Sequence, residues 1–264
     1  MRKRFRSVFC LALLALLAIS FCSHLCLAQE ISVAAAADLQ FAMQDIATRF
    51  QKETGKTVKA TYGSSGNFLQ QIQNGAPFDV FFSANLDYPK KLVAAGLTEP
   101  GSYSGYARGK IVIWVPSGSK IDLSSGMKVL LDPSVKKIAI ANPLHAPYGQ
   151  AAVAALKHEN IYDRVKDKFV LGENISQTAS FVVSGAADIG IVALSLALSP
   201  NMKAKGRYVE VPTTDYPPIE QACVILRSAK NKKVAEQFLA FVKTPAIRDV
   251  LRSYGFDLPG DLSK

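Results

Sequence analysis

Short apolar runs alternate with helix-patterned segments along this chain, and that alternation limits its fold more than any other feature. Ile31 to Ala36 reads as a strand, and residues 39–51 follow with Leu39, Met43, Ile46 and Phe50 on one helical face. Gly55 stands where a left-handed residue would close that helix. The unit repeats as strand 57–62 with helix 67–73, then strand 79–84 with helix 88–95. After a loop-rich stretch near 98–109 comes strand 110–115. A second series follows: strand 137–141, helix 149–158, strand 168–171, helix 177–184 and strand 188–193. Strands and helices alternating in this way predict parallel sheets covered by helices on both faces. Two such series predict an α/β fold of two doubly wound lobes. Residues 29–108 and about 205–264 are expected to form lobe 1, and about 109–204 lobe 2. The chain closes with an edge-like strand at 222–227 and helices 231–243 and 245–254, the last begun by Thr244-Pro245.

Residues 1–28 stand outside this pattern. Arg2-Lys3-Arg4 and Arg6 precede an apolar run from Val8 to Phe21, and Ala28 offers a small residue for cleavage before Gln29. This is the layout of a secretory signal peptide. The run is short for a bilayer span and is broken at Ser20 and at Ser23-His24. Neither Cys22 nor Cys26 follows the small residue that a lipid-anchored protein requires, so a cleaved, periplasmic product is expected. Only Cys223 remains after cleavage, which leaves no internal disulfide, and its apolar neighbours mark it as a core residue. Four basic residues and no acidic one lie in the leader, so the formal charge falls from +10 to +6. The remaining lysines are scattered and no basic stripe interleaves with aromatics, which argues against nucleic acid as a partner.

Four loops share one character: Ala34-Ala35-Ala36-Ala37-Asp38, Gly63-Ser64-Ser65-Gly66, Asn142 to Gly149, and Glu173-Asn174-Ile175-Ser176. None contains Lys or Arg. Each lies at the carboxyl end of an expected strand, where open α/β sheets bind ligands. Each also delivers a helix N-terminus, whose first N–H groups lack partners within the helix and carry partial positive charge. Small residues let an anion approach that backbone closely, so these loops point to an oxyanion. Hydrogen bonds to charged groups contribute about 1.5–3 kcal/mol each, so roughly six or seven could offset the desolvation of a dianion without a countercharge. The plainer reading is that Gly63-Ser64-Ser65-Gly66 merely caps a helix; four loops of one kind, two per lobe, weigh against it.

Other residues carry weaker signals. No cysteine or paired-carboxylate spacing joins His145 to His158, so no metal cation site is expected, and no cofactor. A secreted hydrolase would need Ser65 with His145 as base. The loop lacks the Gly-x-Ser-x-Gly spacing of a nucleophile elbow, so an enzyme is not expected and this remains the alternative from a different class. Trp114 is expected to pack between the lobes or under the hinge, and Lys230, Lys232 and Lys233 to be solvated.

The segments AAAADLQFAMQDIA, YGSSGNFLQQIQNGAPFDVFFSAN, ANPLHAPYGQAA and GAADIGIVALS, with the closing YGF, span nearly all of the chain beyond its leader. Together they resemble the molybdate-binding proteins of ABC importers, a branch of the two-lobed type II periplasmic binding proteins. The resemblance implies a monomer that captures a tetrahedral oxyanion, molybdate or tungstate, and delivers it to the importer's membrane permease. It implies contacts at Asp38, Ser65 and Tyr148, and a backbone contact at Ile175. A further tyrosine contact of some members falls on Ala193, whereas their small residue in the Pro-x-Gly turn is Tyr148 here; the phenol is expected to enter the cavity from this other loop. Asp38 is the second departure, since a carboxylate facing a dianion repels it. Either Asp38 turns back to cap helix 39–51, or it accepts from a proton-bearing oxygen. The latter would favour phosphate over molybdate, tungstate or sulfate, so phosphate and sulfate stand as alternative ligands.

Overall fold

The computed structural model describes residues 29–260. The expected signal peptide, residues 1–28, lies outside the described residues. The chain opens with β1 (Glu30–Ala36), α1 (Gln40–Thr54), β2 (Thr57–Gly63), α2 (Ser65–Gln73), β3 (Val80–Ser83), α3 (Asp87–Ala94) and β4 (Ser104–Gly109). It crosses over and continues with β5 (Ile111–Pro116), β6 (Ile138–Ala141), α4 (Pro147–His158), β7 (Phe169–Gly172), α5 (Ile175–Val183), β8 (Ile189–Ala193) and β9 (Gly206–Glu210). It then returns with β10 (Ile219–Ile225), α6 (Lys232–Val242) and α7 (Pro245–Ser253). Two five-stranded sheets result, ordered β2-β1-β3-β10-β4 and β7-β6-β8-β5-β9, each the centre of one lobe.

The repeating units form as their patterns predict. Leu39, Met43, Ile46 and Phe50 are all buried against the first sheet. Gly55 closes α1 at φ 71°, its N–H bonded to Gln51 O at 2.8 Å. The inner strands β3, β6 and β8 are buried at every position, whereas the edge strand β2 is not, as expected where one side of a sheet faces solvent. The C-terminal segment belongs to the first lobe. Buried Asp79 accepts from the N–H groups of Ser32 and Lys230, and Asn231 Nδ2 donates to Glu30 O, tying the start of α6 to β1 and β3. Pro245 opens α7 after Thr244, though the Thr244 hydroxyl donates back to Phe241 O and does not cap the helix.

Three features differ from the sequence reading. Both sheets are mixed, because β10 runs antiparallel between β3 and β4, and β5 antiparallel between β8 and β9. The strand expected at an edge is thus an inner one, and the stretch near 98–109 contains β4. Trp114 lies within the second lobe's core, on β5 between Gly190 and Tyr208, and not between the lobes. The second sheet also runs on to Glu210, past the limit expected near 204. Only Lys110 separates β4 from β5, and residues 211–218 lead back from β9 to β10, so the lobes are joined by two crossovers side by side.

Candidate functional site

The carboxyl ends of the parallel strands in both sheets face one another, and the four loops meet there. Ser64 is the N-cap of α2; its Oγ accepts from Asn67 N–H at 3.4 Å and its carbonyl from Phe68 N–H at 3.1 Å. Ser65 Oγ accepts from Ala84 N–H at 3.0 Å, which leaves its own hydrogen for another acceptor. Asn174 caps α5 by accepting from both Ser176 and Gln177, and the N–H of Ile175 ahead of them stays outside that cap. Pro147 opens α4 and has no N–H to satisfy; Gly149 and Gln150 donate to Ala146 O, and the N–H of Tyr148 comes just before them. The first loop is a single 3₁₀ turn, Ala37–Leu39, with no side-chain cap.

Together these loops surround a cavity of about 10 Å³, lined by Ala36, Ala37 and Asp38, by Gly63, Ser64 and Ser65, by Ala84, and by Ala146, Pro147, Tyr148 and Ile175. It is far smaller than the roughly 300–1,000 Å³ of sites for drug-sized ligands, with room for about one water-sized sphere as the lobes stand. Asp38, Ser65, Tyr148 and Ile175 therefore converge, from both lobes. Asp38 is the only charged residue in the lining. A larger, open groove beside the cavity is bordered by Asp87 and Glu220, the wrong charge for an anion.

The lobes touch directly around this cavity. Gly66 N–H donates to His145 O at 2.9 Å, and a Cβ on Gly66 would stand 2.6 Å from that same oxygen, so only glycine permits the approach. His145 Nδ1 lies 2.9 Å from Ser64 Oγ, and Ser176 Oγ donates to Gln40 Oε1. The Ser65–His145 pair that hydrolysis would need is not formed, because the imidazole engages Ser64, with Nε2 3.5 Å from Glu173.

Asp38 does not cap α1, whose N-cap is Leu39 without a side-chain bond. Its side chain is 2% exposed and turns toward the crossovers. Oδ2 accepts from Tyr148 Oη at 2.9 Å and from Gln221 Nε2 at 2.7 Å, while Oδ1 has no partner. Gln221 Nε2 also donates to Tyr148 Oη at 3.1 Å, and Gln221 Oε1 accepts from Tyr106 Oη at 2.6 Å. Ser195 Oγ donates to the Asp38 carbonyl at 2.8 Å, holding the turn from the second lobe. Burial raises the Asp38 carboxyl from 3.8 to about 6, against the opposing pull of the Gln221 and Tyr148 donors and the amides of Asp38 and Leu39. Burial, with the neighbouring carboxylate, likewise lifts Tyr148 and Tyr106 well above the ordinary phenol range.

The Tyr148 phenol thus reaches the site from α4 but directs its hydrogen bond to Asp38. Ala193 is buried at the end of β8 and does not line the cavity. Gln221, Tyr106 and Ser195 were not foreseen: two lie on β10 and β4, and nothing local marks any of them as a neighbour of Asp38. Among the described residues, His158, Glu159 and Asp215 bring ligand atoms within 4.8 Å of one another. That group joins the end of α4 to the returning crossover, outside the cavity lining, with His158 Nδ1 3.6 Å from Asp215 Oδ1 as in an ion pair.

Residues 31–257 match the family described as bacterial extracellular solute-binding protein. The chain is 40% identical over 231 residues to the molybdate-binding protein ModA of Azotobacter vinelandii, covering 88% of this chain and 91% of that protein. It is 37% identical over 229 residues to the molybdate-binding protein ModA of Rhodobacter capsulatus, covering 87% and 88%. The solved structure of the Azotobacter vinelandii periplasmic molybdate-binding protein superposes with a TM-score of 0.82 at 37% identity, over 87% of this chain and 99% of that one. With two lobes closing on an N–H-lined cavity, the chain belongs to the bacterial extracellular solute-binding protein family.

Proposed function

We propose that this protein captures a tetrahedral oxyanion, molybdate or tungstate, in the cleft between its lobes and hands it to the membrane permease of an ABC importer. In this reading it acts as a periplasmic monomer, and it binds and releases its ligand without chemical change. One observation carries the reading: Ser65, Tyr148 and Ile175, from both lobes, line one small cavity without a Lys or Arg side chain, and the Ser65 hydroxyl hydrogen and their helix-start N–H groups stay outside the capping bonds. Such donors suit a ligand with four acceptor oxygens and no hydrogen to donate. The names of the relatives support molybdate in particular.

Because each lobe supplies donors, the closed form binds the anion better than the open one, and ligand shifts the population toward closure. The closed shape is then what a permease can recognise. A thermal-shift series with molybdate, tungstate, sulfate and phosphate at equal concentration tests the reading. A ligand at 100 times its dissociation constant adds about 2.7 kcal/mol, a melting shift of roughly 5–10 °C for a chain this size. Shifts with molybdate and tungstate alone support the proposal; no shift with any of the four overturns it. One observation favours phosphate as a second reading: unpartnered Asp38 Oδ1 could accept from the proton that phosphate still carries. A shift with phosphate alone would establish that reading instead.

A further inference from the structure

A buried carboxylate beside a dianion is a conflict that the structure resolves in a particular way, and the following inference rests on the oxyanion reading. Asp38 lines the cavity, and no charged side chain is among the groups acting on it. The titratable groups facing it are Tyr148 from α4 and, through Gln221 of β10, Tyr106 from β4; both are phenols kept neutral by burial. His145, the titratable group of the third loop, is engaged with Ser64 and Glu173. Among the described residues no cationic side chain acts on Asp38, so a proton is what neutralises it.

The hydrogen-bond chain fixes where that proton goes. Tyr106 donates to Gln221 Oε1, which turns the amide nitrogen toward Asp38; Gln221 Nε2 and Tyr148 Oη then both donate to Oδ2. Oδ2 is filled by two donors, so a proton can reside only on Oδ1, the one oxygen of the group without a partner. We propose that Asp38 takes up one proton from the solvent buffer as the cleft closes on the dianion, and that its new Oδ1–H group donates to a ligand oxygen. The carboxylate gains H⁺, the buffer acid loses it, and no other bond changes. Asp38 thereby becomes a specificity-determining residue: as an acid it requires an acceptor-only oxyanion, and Tyr148, Gln221 and Tyr106 are the positioning residues that set its polarity. Burial, against its hydrogen-bond donors, already holds the carboxyl up at about 6, and a bound dianion raises it further.

Titration calorimetry of the purified protein with molybdate, in buffers of differing ionisation enthalpy, reads the uptake directly. At pH 8 about one proton should be taken up per molybdate bound, and affinity should fall about tenfold per pH unit above roughly pH 6. Asp38→Asn carries a permanent N–H donor where the acid places its O–H, so both the uptake and the slope should vanish in it. As an independent readout, infrared difference spectra should show a protonated carboxylic acid C=O band appearing with molybdate in the native protein and absent from D38N. Native binding with no proton uptake and no acid band overturns the inference while leaving the oxyanion reading intact, as does uptake that persists unchanged in D38N. No binding of any oxyanion by the native protein overturns both.

Discussion

Replacing Gly66 with alanine sets two effects of opposite sign against each other. Gly66 lies in the first turn of α2 at an ordinary helical φ, where alanine is favoured over glycine by about 0.8–1 kcal/mol. The three heavy atoms nearest to the new methyl group all belong to His145, across the cleft. On closure it would stand 2.6 Å from His145 O and 2.9 Å from His145 Cα, and the Gly66 N–H to His145 O bond of 2.9 Å would be lost. Overpacking of this kind costs about 1–3 kcal/mol, and the lost hydrogen bond about 0.5–1.5 kcal/mol more. Closure is thus opposed by about 1.5–4.5 kcal/mol, which weakens oxyanion affinity by roughly 10- to 2,000-fold. Calorimetric titration with molybdate measures that loss, and a melting curve of the ligand-free protein should show no fall in stability. Unchanged affinity in Gly66→Ala would refute the reasoning, because binding would then not require the lobes to meet as they do here.

Ser65→Ala removes a hydroxyl proposed to donate to the anion and leaves the Ala84 N–H without its 3.0 Å acceptor. Affinity should fall by about 1.5–3 kcal/mol, with a smaller loss of melting temperature, checked by titration and calorimetric melting. Asp38, raised by burial from 3.8 to about 6, binds its proton more tightly in the folded closed form than unfolded. Its contribution is full below pH 3.8 and lost as pH rises through 6, about 3 kcal/mol in all, so the melting advantage of D38N over the native protein should grow across that window and then level off. Gly206→Ala would place a methyl group into the ring of Trp114, whose side chain is fully buried on β5. It should destabilise the second lobe by about 1–3 kcal/mol or more, seen as a lower melting point and altered tryptophan fluorescence.

Much of this molecule is set by local pattern. Helix faces such as Leu39–Met43–Ile46–Phe50 and short apolar strands identify themselves because burial of one face follows periods of 3.6 and 2 residues, whatever the rest of the chain does. The four loops were legible for the same reason. Their small residues and missing cations are a local property of helix N-termini, whereas Ser65, Tyr148 and Ile175 were singled out within them by the family resemblance. The mixed sheets could not, because insertion of β10 between β3 and β4 is a pairing across more than a hundred residues with no signature in either strand. Nor could the direction of Asp38. From sequence its carboxylate could equally cap a helix or face a ligand. It is Gln221 on that inserted strand, together with Tyr148 from the opposite lobe, that turns it inward and occupies one of its two oxygens. Which backbone groups end without partners follows from the local pattern of helix starts; which side chains stand beside them follows from how the lobes pack, because hydrogen-bond geometry across lobes depends on every element between.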